Sequence, residues 1–555
     1  MSKKRLPTNW LLLTAPLLFL GLFYFYPLLR IFIVSFFPDG AWTNSGLVRF
    51  FTTPAYLRIL WFTCWQAALS TLLTLVVALP GAYIYARYSF PAKGLVRVLT
   101  TVPFVLPTVV TAAAFRALLG DGGLVNTVLM KVLHLQVPPI HIDQTISFFI
   151  LAHVFYNYAL VMRIVGGYWA GLAPELQQAA AMLGASRRQI FTKITLPLLM
   201  PAIGSTALLI FIFCFTSFGV VLILGGPRHA TLEVEIYRQS IQLFNLPMAA
   251  TLSLLQILIN FFLMWLHARL SQGTDLSWFG GSGFRQLKVA GTIMERVALT
   301  VTLGCMGVLL LAPLLALIVR SLLGDNGWTV AYYTSLFSRQ TDSLFFVPPF
   351  AAILNSVAFA LATMLLAMLL GLSAATFLAQ SAKKGAALWD AIIMLPLATS
   401  AVTLGFGYII TLNKPPLNLR DSVLLVILAH TLVAFPFVIR SLLPSLRRIP
   451  ATLREAASLL GASPLRVRLT IDLPLLSRAL LTAAVFAFAI SMGEFGASTF
   501  VTRPQTPTLP VAIFRYLSKP GELNYGQAMA MSVLLMLVTA LAFIILEKLQ
   551  NNGKQ

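Results

Sequence analysis

Long apolar blocks restrict the fold of this chain more than any other feature. They cover residues 10–36, 59–85, 98–118, 145–166, 198–224, 247–267, 296–320, 351–379, 388–411, 422–444, 479–500 and 525–546. Each is about 20 residues or longer, the length a helix needs to cross a hydrocarbon core of roughly 30 Å. Inside such a core the backbone must satisfy its own hydrogen bonds, so the blocks read as helices. The expected fold class is all-α integral membrane, with about twelve transmembrane helices. Charge agrees: only 10% of the residues are charged, against roughly 25% in soluble domains. Pro107, Pro396 and Pro436 fall within blocks and predict kinks. The first block follows Lys3-Lys4-Arg5 and runs from Trp10 to Phe37. That is too long for the apolar region of a signal peptide, so it reads as a retained span.

The formal net charge is +22, yet nucleic acid is not the expected partner. Lys and Arg gather in alternate short loops between apolar blocks, as cytoplasmic retention requires. The loop from Arg440 to Arg478 alone holds seven. This bias places both termini in the cytoplasm and makes the lipid bilayer the first partner. Cys64, Cys214 and Cys305 are scattered through apolar blocks. They suggest neither a disulfide framework nor a metal cluster and read as small buried hydrophobes.

The chain also repeats itself. Leu151-Ala152-His153 recurs as Leu428-Ala429-His430, Arg163 as Arg440, and Gly184-Ala185-Ser186 as Gly461-Ala462-Ser463. Leu196-Pro197-Leu198-Leu199 recurs as Leu473-Pro474-Leu475-Leu476, and Phe218-Gly219 as Phe495-Gly496. Every pair is 277 positions apart. Leu106-Pro107 instead matches Leu395-Pro396 at an offset of 289, so the first half carries 12 extra residues between its third and fourth spans. That insertion falls in an outside loop with Gly122-Gly123 and Pro138-Pro139, where a change of length is tolerated. Six spans per half give two parallel six-helix repeats about a pseudo-twofold axis along the membrane normal. The expected organisation is a tail, first span and outside loop over 1–56, a first repeat over 57–268, a linker over 269–295, an extra span and loop over 296–350, a second repeat over 351–548 and a tail over 549–555. Gly280-Gly281-Ser282-Gly283 gives the linker a flexible composition.

The loops after spans four and ten are the most informative. The first reads Gln178-Ala179-Ala180, then Gly184, then Ile194-Thr195-Leu196-Pro197. The second reads Glu455-Ala456-Ala457, then Gly461, then Ile471-Asp472-Leu473-Pro474. Pro174 and Glu175 suit a helix start, through a fixed φ and a charge at the positive dipole end. Leu172, Leu176, Ala179 and Leu183 then form one apolar stripe, as Leu453, Ala456 and Leu460 do in the second loop. Gly184 and Gly461 permit the left-handed turn that ends each helix, and a second short segment leads to a proline that can open the next span. A helix of this kind could rest on lipid headgroups. Two equivalent copies favour instead a pair of knobs docking into a dimeric soluble partner.

The pattern Glu-Ala-Ala, three residues, Gly, nine residues, Ile-x-Leu-Pro resembles the signature of permeases of binding-protein-dependent ABC importers. The second loop matches it throughout, and the first departs only in Gln178. The resemblance covers spans two to six and eight to twelve, leaving spans one and seven as additions. It implies a MetI-like permease core in each half and a place in a bacterial plasma membrane. It implies that the loops are coupling helices for two cytoplasmic ABC ATPase subunits, a homodimer in the simplest case, and that an external binding protein delivers the solute. ATP and Mg would be bound by those subunits. No cofactor is expected on this chain, which lacks a G-x-x-x-x-G-K-[ST] phosphate loop and is not expected to be an enzyme. Gln178 lacks the charge of Glu455, so the two knobs are expected to couple unequally. Fused permeases of this pattern are most similar to ferric iron and thiamine importers. The run Gly493-Glu494-Phe495-Gly496 also resembles molybdate and sulfate permeases. The alternative is a secondary transporter with parallel six-span repeats, which would need no ATPase.

Candidates for the translocation pathway are few. Glu494 falls in the eleventh block, where a carboxylate must face a cavity or a partner. Its counterpart is Ser217, beside Thr216. His153 and His430 recur in equivalent places, where a helix–helix hydrogen bond is favoured over a metal. Asn157 and Tyr158 are weaker candidates, and Arg163 and Arg440 read as anchors at the interface.

Overall fold

In the computed structural model the residues described are 7–91, 93–94, 96, 99–100, 103, 106–172, 174–271, 287–324, 327–338, 347–381, 383–413 and 417–551. Among them, eleven helices are long and apolar enough to span a membrane: Leu12–Phe36, Pro54–Arg87, Thr108–Leu133, Ile146–Gly171, Arg187–Phe215, Leu246–Ser271, Ile293–Leu322, Pro349–Gln380, Leu424–Arg448, Leu469–Gly493 and Glu522–Ile545. A twelfth is a broken pair, Leu388–Ala398 and Ala401–Thr411, bent by 89°. The all-α membrane fold expected from the sequence is the fold observed.

The three prolines act differently from one another. Pro396 lies in a 3-10 turn, Leu395–Ala398, at the broken pair. It has no N–H for the helical ladder, and the chain turns there instead of merely kinking. Pro107 stands immediately before the helix Thr108–Leu119, where a missing N–H costs nothing. The helix Leu424–Arg448 runs on through Pro436.

Two expected spans end early. Blocks 198–224 and 479–500 read as continuous, but their helices stop at Phe215 and Gly493 and resume at Gly219 and Ser498. Apolar composition continues across both breaks, so hydropathy could not reveal them. The insertion in the first half is also more ordered than a plain loop. Its helix Leu124–Leu133 is fastened by buried Asn126, which donates to Gly120 O at 3.0 Å and Ile140 O at 2.8 Å and accepts from Ile140 N at 3.0 Å. The Gly280–Gly283 run expected to be a flexible linker lies outside the described residues. Beyond it, Lys288–Val289 pairs in parallel with Tyr88–Ser89 at the end of the second span.

Contacts divide the chain into two compact units. One comprises Phe50–Glu235 and Leu258–Gly327. In it Pro54–Arg87 packs along Ile146–Gly171, closely enough that a Cβ on Gly81 would lie 2.2 Å from the Tyr158 hydroxyl. Small residues allow this approach, as is usual between helices in lipid. The span Ile293–Leu322 packs on Thr108–Leu119, and Arg320 donates to Thr127 Oγ1 at 2.6 Å and to the carbonyl of Gly122.

The other unit comprises Met1–Arg49, Ile236–Ile257 and Trp328–Gln555. Here Pro349–Gln380 packs along Leu424–Arg448, with Gly371 in close approach to Val438. The first span packs on Pro349–Gln380 and on Ala401–Thr411. Tyr24 and Thr399 share a hydrogen bond of 2.7 Å, Ser35 and Thr251 one of 2.9 Å, and Ser373 donates to Leu12 O. The additional span of each half thus belongs to the unit built around the other half's core.

Candidate functional site

The first Glu-Ala-Ala-type loop forms a nine-residue helix, Pro174–Met182, and the second forms Ala451–Leu459. Gly184 and Gly461 follow with φ of 83° and 81°, the left-handed region that a side chain disfavours. The N–H of Ala185 reaches Ala180 O, and that of Ala462 reaches Ala457 O, each at 3.0 Å. This is the six-to-one bond of a glycine-terminated helix, and it satisfies one carbonyl at each end. Ser186 caps the next turn, with Gln189 returning the bond. In the second loop Ser463 accepts from Arg466 N at 3.3 Å.

Leu172 of the expected apolar stripe is half-buried and precedes the helix, but the apolar side chains at the helix tips are not covered within the chain. Met182, Leu183, Leu459 and Leu460 are each 88 or 89% exposed. Gln178, Ala179, Glu455 and Ala456 are exposed as well, while Ala180 and Ala457 are half-buried.

Each loop passes into its span through a π-helical turn, Phe191–Thr195 in one repeat and Arg468–Asp472 in the other. The turns coincide at the 277-residue offset. Leu196 donates to Phe191 O, a bond one residue longer than the α-helical one. Pro197 and Pro474 follow in the first α-helical turn, as the sequence suggested, but the chain ahead of them is already helical. Ile194, Leu196 and Ile471 are half-buried, whereas Pro197, Leu473 and Pro474 are exposed. Short π turns of this kind are frequent at functional positions.

The pathway candidates gather at the two helix breaks, each within its own unit. In the first, Thr216 ends the helix and donates to Ile212 O at 2.9 Å. The ring of His153, buried on the fourth span, lies 3.0 Å from Ser70 Oγ through Nδ1 and 2.9 Å from Ser217 Oγ through Nε2. Asn157 donates to His153 O at 3.0 Å and to Cys214 Sγ at 3.4 Å. In the second, His430 lies 2.8 Å from Ser491 Oγ and 2.7 Å from Ser498 Oγ. Glu494, which the sequence put inside a span, stands just past the helix end. Its carboxylate accepts from Ala497 N at 2.9 Å and so caps the break. Arg440 pairs with Asp390 at 3.7 Å. Among the described residues there is no group of three or more His, Cys, Asp or Glu that could hold a metal ion.

Residues 71–275 match the family described as binding-protein-dependent transport system inner membrane component. Over 198 residues the chain is 32% identical to the putative 2-aminoethylphosphonate transport system permease protein PhnV of Salmonella typhimurium, covering 36% of this chain and 74% of that protein. The chain belongs to this permease family. Two longer relatives span both halves. It is 27% identical over 485 residues to the thiamine transport system permease protein ThiP of Brucella suis, covering 86% of this chain and 85% of the relative. It is 28% identical over 504 residues to ThiP of Escherichia coli, covering 88% of each. The protein is thus a multi-pass permease subunit of an ABC importer, a class that works with ATPase subunits and a binding protein. This kinship does not favour the secondary-transporter alternative.

Several permease residues escaped the sequence reading. Thr63 accepts from Leu232 N at 3.0 Å, and Ser356 accepts from Leu509 N at 2.6 Å, an equivalent bond in each repeat. Gln66 donates to Cys214 O at 2.9 Å beside the first break. Glu233 and Glu235 are buried, although their repeat counterparts are Pro510 and Ala512. The 277-residue register would have flagged these two acids, since charge replaces apolar residues there.

Proposed function

We propose that this permease carries thiamine, and that Pro174–Met182 and Ala451–Leu459 are the helices through which ATPase subunits drive it. One observation supports the coupling reading above others. In both repeats an apolar pair stands almost fully exposed at the tip of a short helix, just before a left-handed glycine. Such a surface fits a cleft on a soluble partner better than water. Gln178, Ala179, Ala180, Gly184, Ile194, Leu196 and Pro197 would shape one knob. Glu455, Ala456, Ala457, Gly461, Ile471, Leu473 and Pro474 would shape the other. Two equivalent knobs suit two identical ATPase subunits. The loops and both termini then lie in the cytoplasm, as the Lys and Arg bias favours.

Thiamine is preferred over ferric iron, molybdate or sulfate because the relatives that span both halves are named for it. The aminoethylphosphonate relative matches 36% of the chain. Thr216, Ser217 and Glu494, at the helix breaks, are the residues proposed to meet the solute. Buried His153, His430 and Asn157 would hold those breaks in place. ATP and Mg belong on the partner subunits, since the sequence has no phosphate loop.

Reconstitution in proteoliposomes with the ATPase and binding protein of the same importer tests the proposal. Labelled thiamine should accumulate only when permease, ATPase, binding protein and Mg-ATP are all present. Accumulation with the permease alone would refute the coupling, and transport of another solute by the same complete set would refute the substrate.

A further inference from the structure

Gly184 and Gly461 join each coupling helix to the next span through a left-handed turn, and nine residues are too few for a helix to be rigid alone. A push at the apolar tip could therefore pivot the helix and leave the span where it was. In each repeat a side-chain bond crosses that corner. In the second, Arg454 donates from Nε to Asp472 Oδ1 at 2.8 Å. In the first, Gln177 donates from Nε2 to Thr195 Oγ1 at 3.2 Å, and Arg87 at the end of the second span donates to Gln177 Oε1. Arg454 is the 277-residue counterpart of Gln177, and Asp472 of Thr195. Thr195 and Asp472 are also the last residues of the two π turns.

Two different chemistries thus occupy one place. Ordinary packing does not require this, and a half-exposed ion pair contributes little to stability. We infer that Arg454–Asp472 and Gln177–Thr195 are transmission struts that make each coupling helix turn together with the span that follows it. They are positioning residues, and the inference rests on the coupling role proposed above. The first strut is neutral and braced by Arg87, while the second is ionic. An ion pair holds in either orientation, so the partners of the second strut are exchangeable.

Charge reversal gives the test, read as thiamine accumulated per ATP hydrolysed in the complete reconstituted importer. Arg454→Asp and Asp472→Arg should each lower that ratio by about threefold or more, and the double reversal should restore it to within about twofold, as for directly interacting residues. Thermal unfolding of the permease should stay nearly unchanged throughout. A double reversal no better than either single variant overturns the strut, as do single variants with a full ratio. If the reversals do not reach the membrane, the pair Arg454→Gln with Asp472→Thr copies the other repeat's strut. It should keep the ratio within about twofold of wild type, and a loss matching Arg454→Gln alone overturns the inference. Failure of the coupling reading looks different, since wild-type uptake would then need no ATPase.

Discussion

His153 and His430 occupy the same place in the two repeats, yet each is wired differently. His430 bonds Ser491 and Ser498, whereas His153 bonds Ser70 and Ser217. The repeat register explains the change. Cys214 stands where the second half has Ser491, and a thiol is a poor partner, so the first ring turns to Ser70 on the second span. Val221 stands where the second half has Ser498, so the other nitrogen reaches Ser217. The histidines were legible from sequence because both copies survive at one offset. Their partners were not, because they come from different elements. Ser491 and Ser498 are buried, so His430→Ala leaves two hydroxyls without a partner, at about 1–3 kcal/mol each. It should lower the unfolding temperature in detergent by several degrees. Ser217 is only half-buried, and His153→Ala should cost less. In a cycle with Ser498→Val, the His430→Ala effect should be less than additive; simple addition would show that the bond does not hold the break.

Among the elements, the two short loop helices were legible up to the glycines that end them, since spacing, small residues and the terminating glycine all agree. The helix breaks were not, because Gly219–Leu224 is as apolar as the span before it. The π turns were equally invisible, as nothing in composition separates them from an α-helical turn. A mutation can test whether the left-handed turn matters more than the chemistry beside it. Gly461 has φ of 81° and donates to Ser458 O at 3.1 Å. Proline fixes φ near −65° and has no N–H, so Gly461→Pro must reshape the turn. Uptake should fall by more than about tenfold, the effect of losing roughly 1.4 kcal/mol or more of coupling, while the amount of protein in the membrane stays the same. Glu455→Lys should act alike through charge at the docking face, and Gln178→Ala should be milder than Glu455→Ala. Wild-type uptake by Gly461→Pro would remove the helix from the transmission route.

At the scale of the whole molecule the twofold repetition is plain in the sequence, but the exchange of additional spans is not. Hydropathy says that a segment enters lipid, never which helix it will meet there, because the lipid is as apolar as any partner helix. The choice lies in packing and in a few polar bonds. Leu13, Leu20, Tyr24 and Ile31 of the first span are fully buried in the unit built on the second repeat. Tyr24–Thr399 and Ser35–Thr251 bind it there, while Arg320 holds the seventh span to the first repeat. Each such bond is worth only about 0.6 kcal/mol in a membrane, so the hold comes from several helices acting together. A single cut between residues 271 and 287 would leave each compact unit with helices from both fragments. A protease site placed there should therefore yield two pieces that elute together in mild detergent and, with the ATPase and binding protein, still import. Fragments that part on cleavage would mean that each half packs on itself, and the exchanged spans would have to be redrawn.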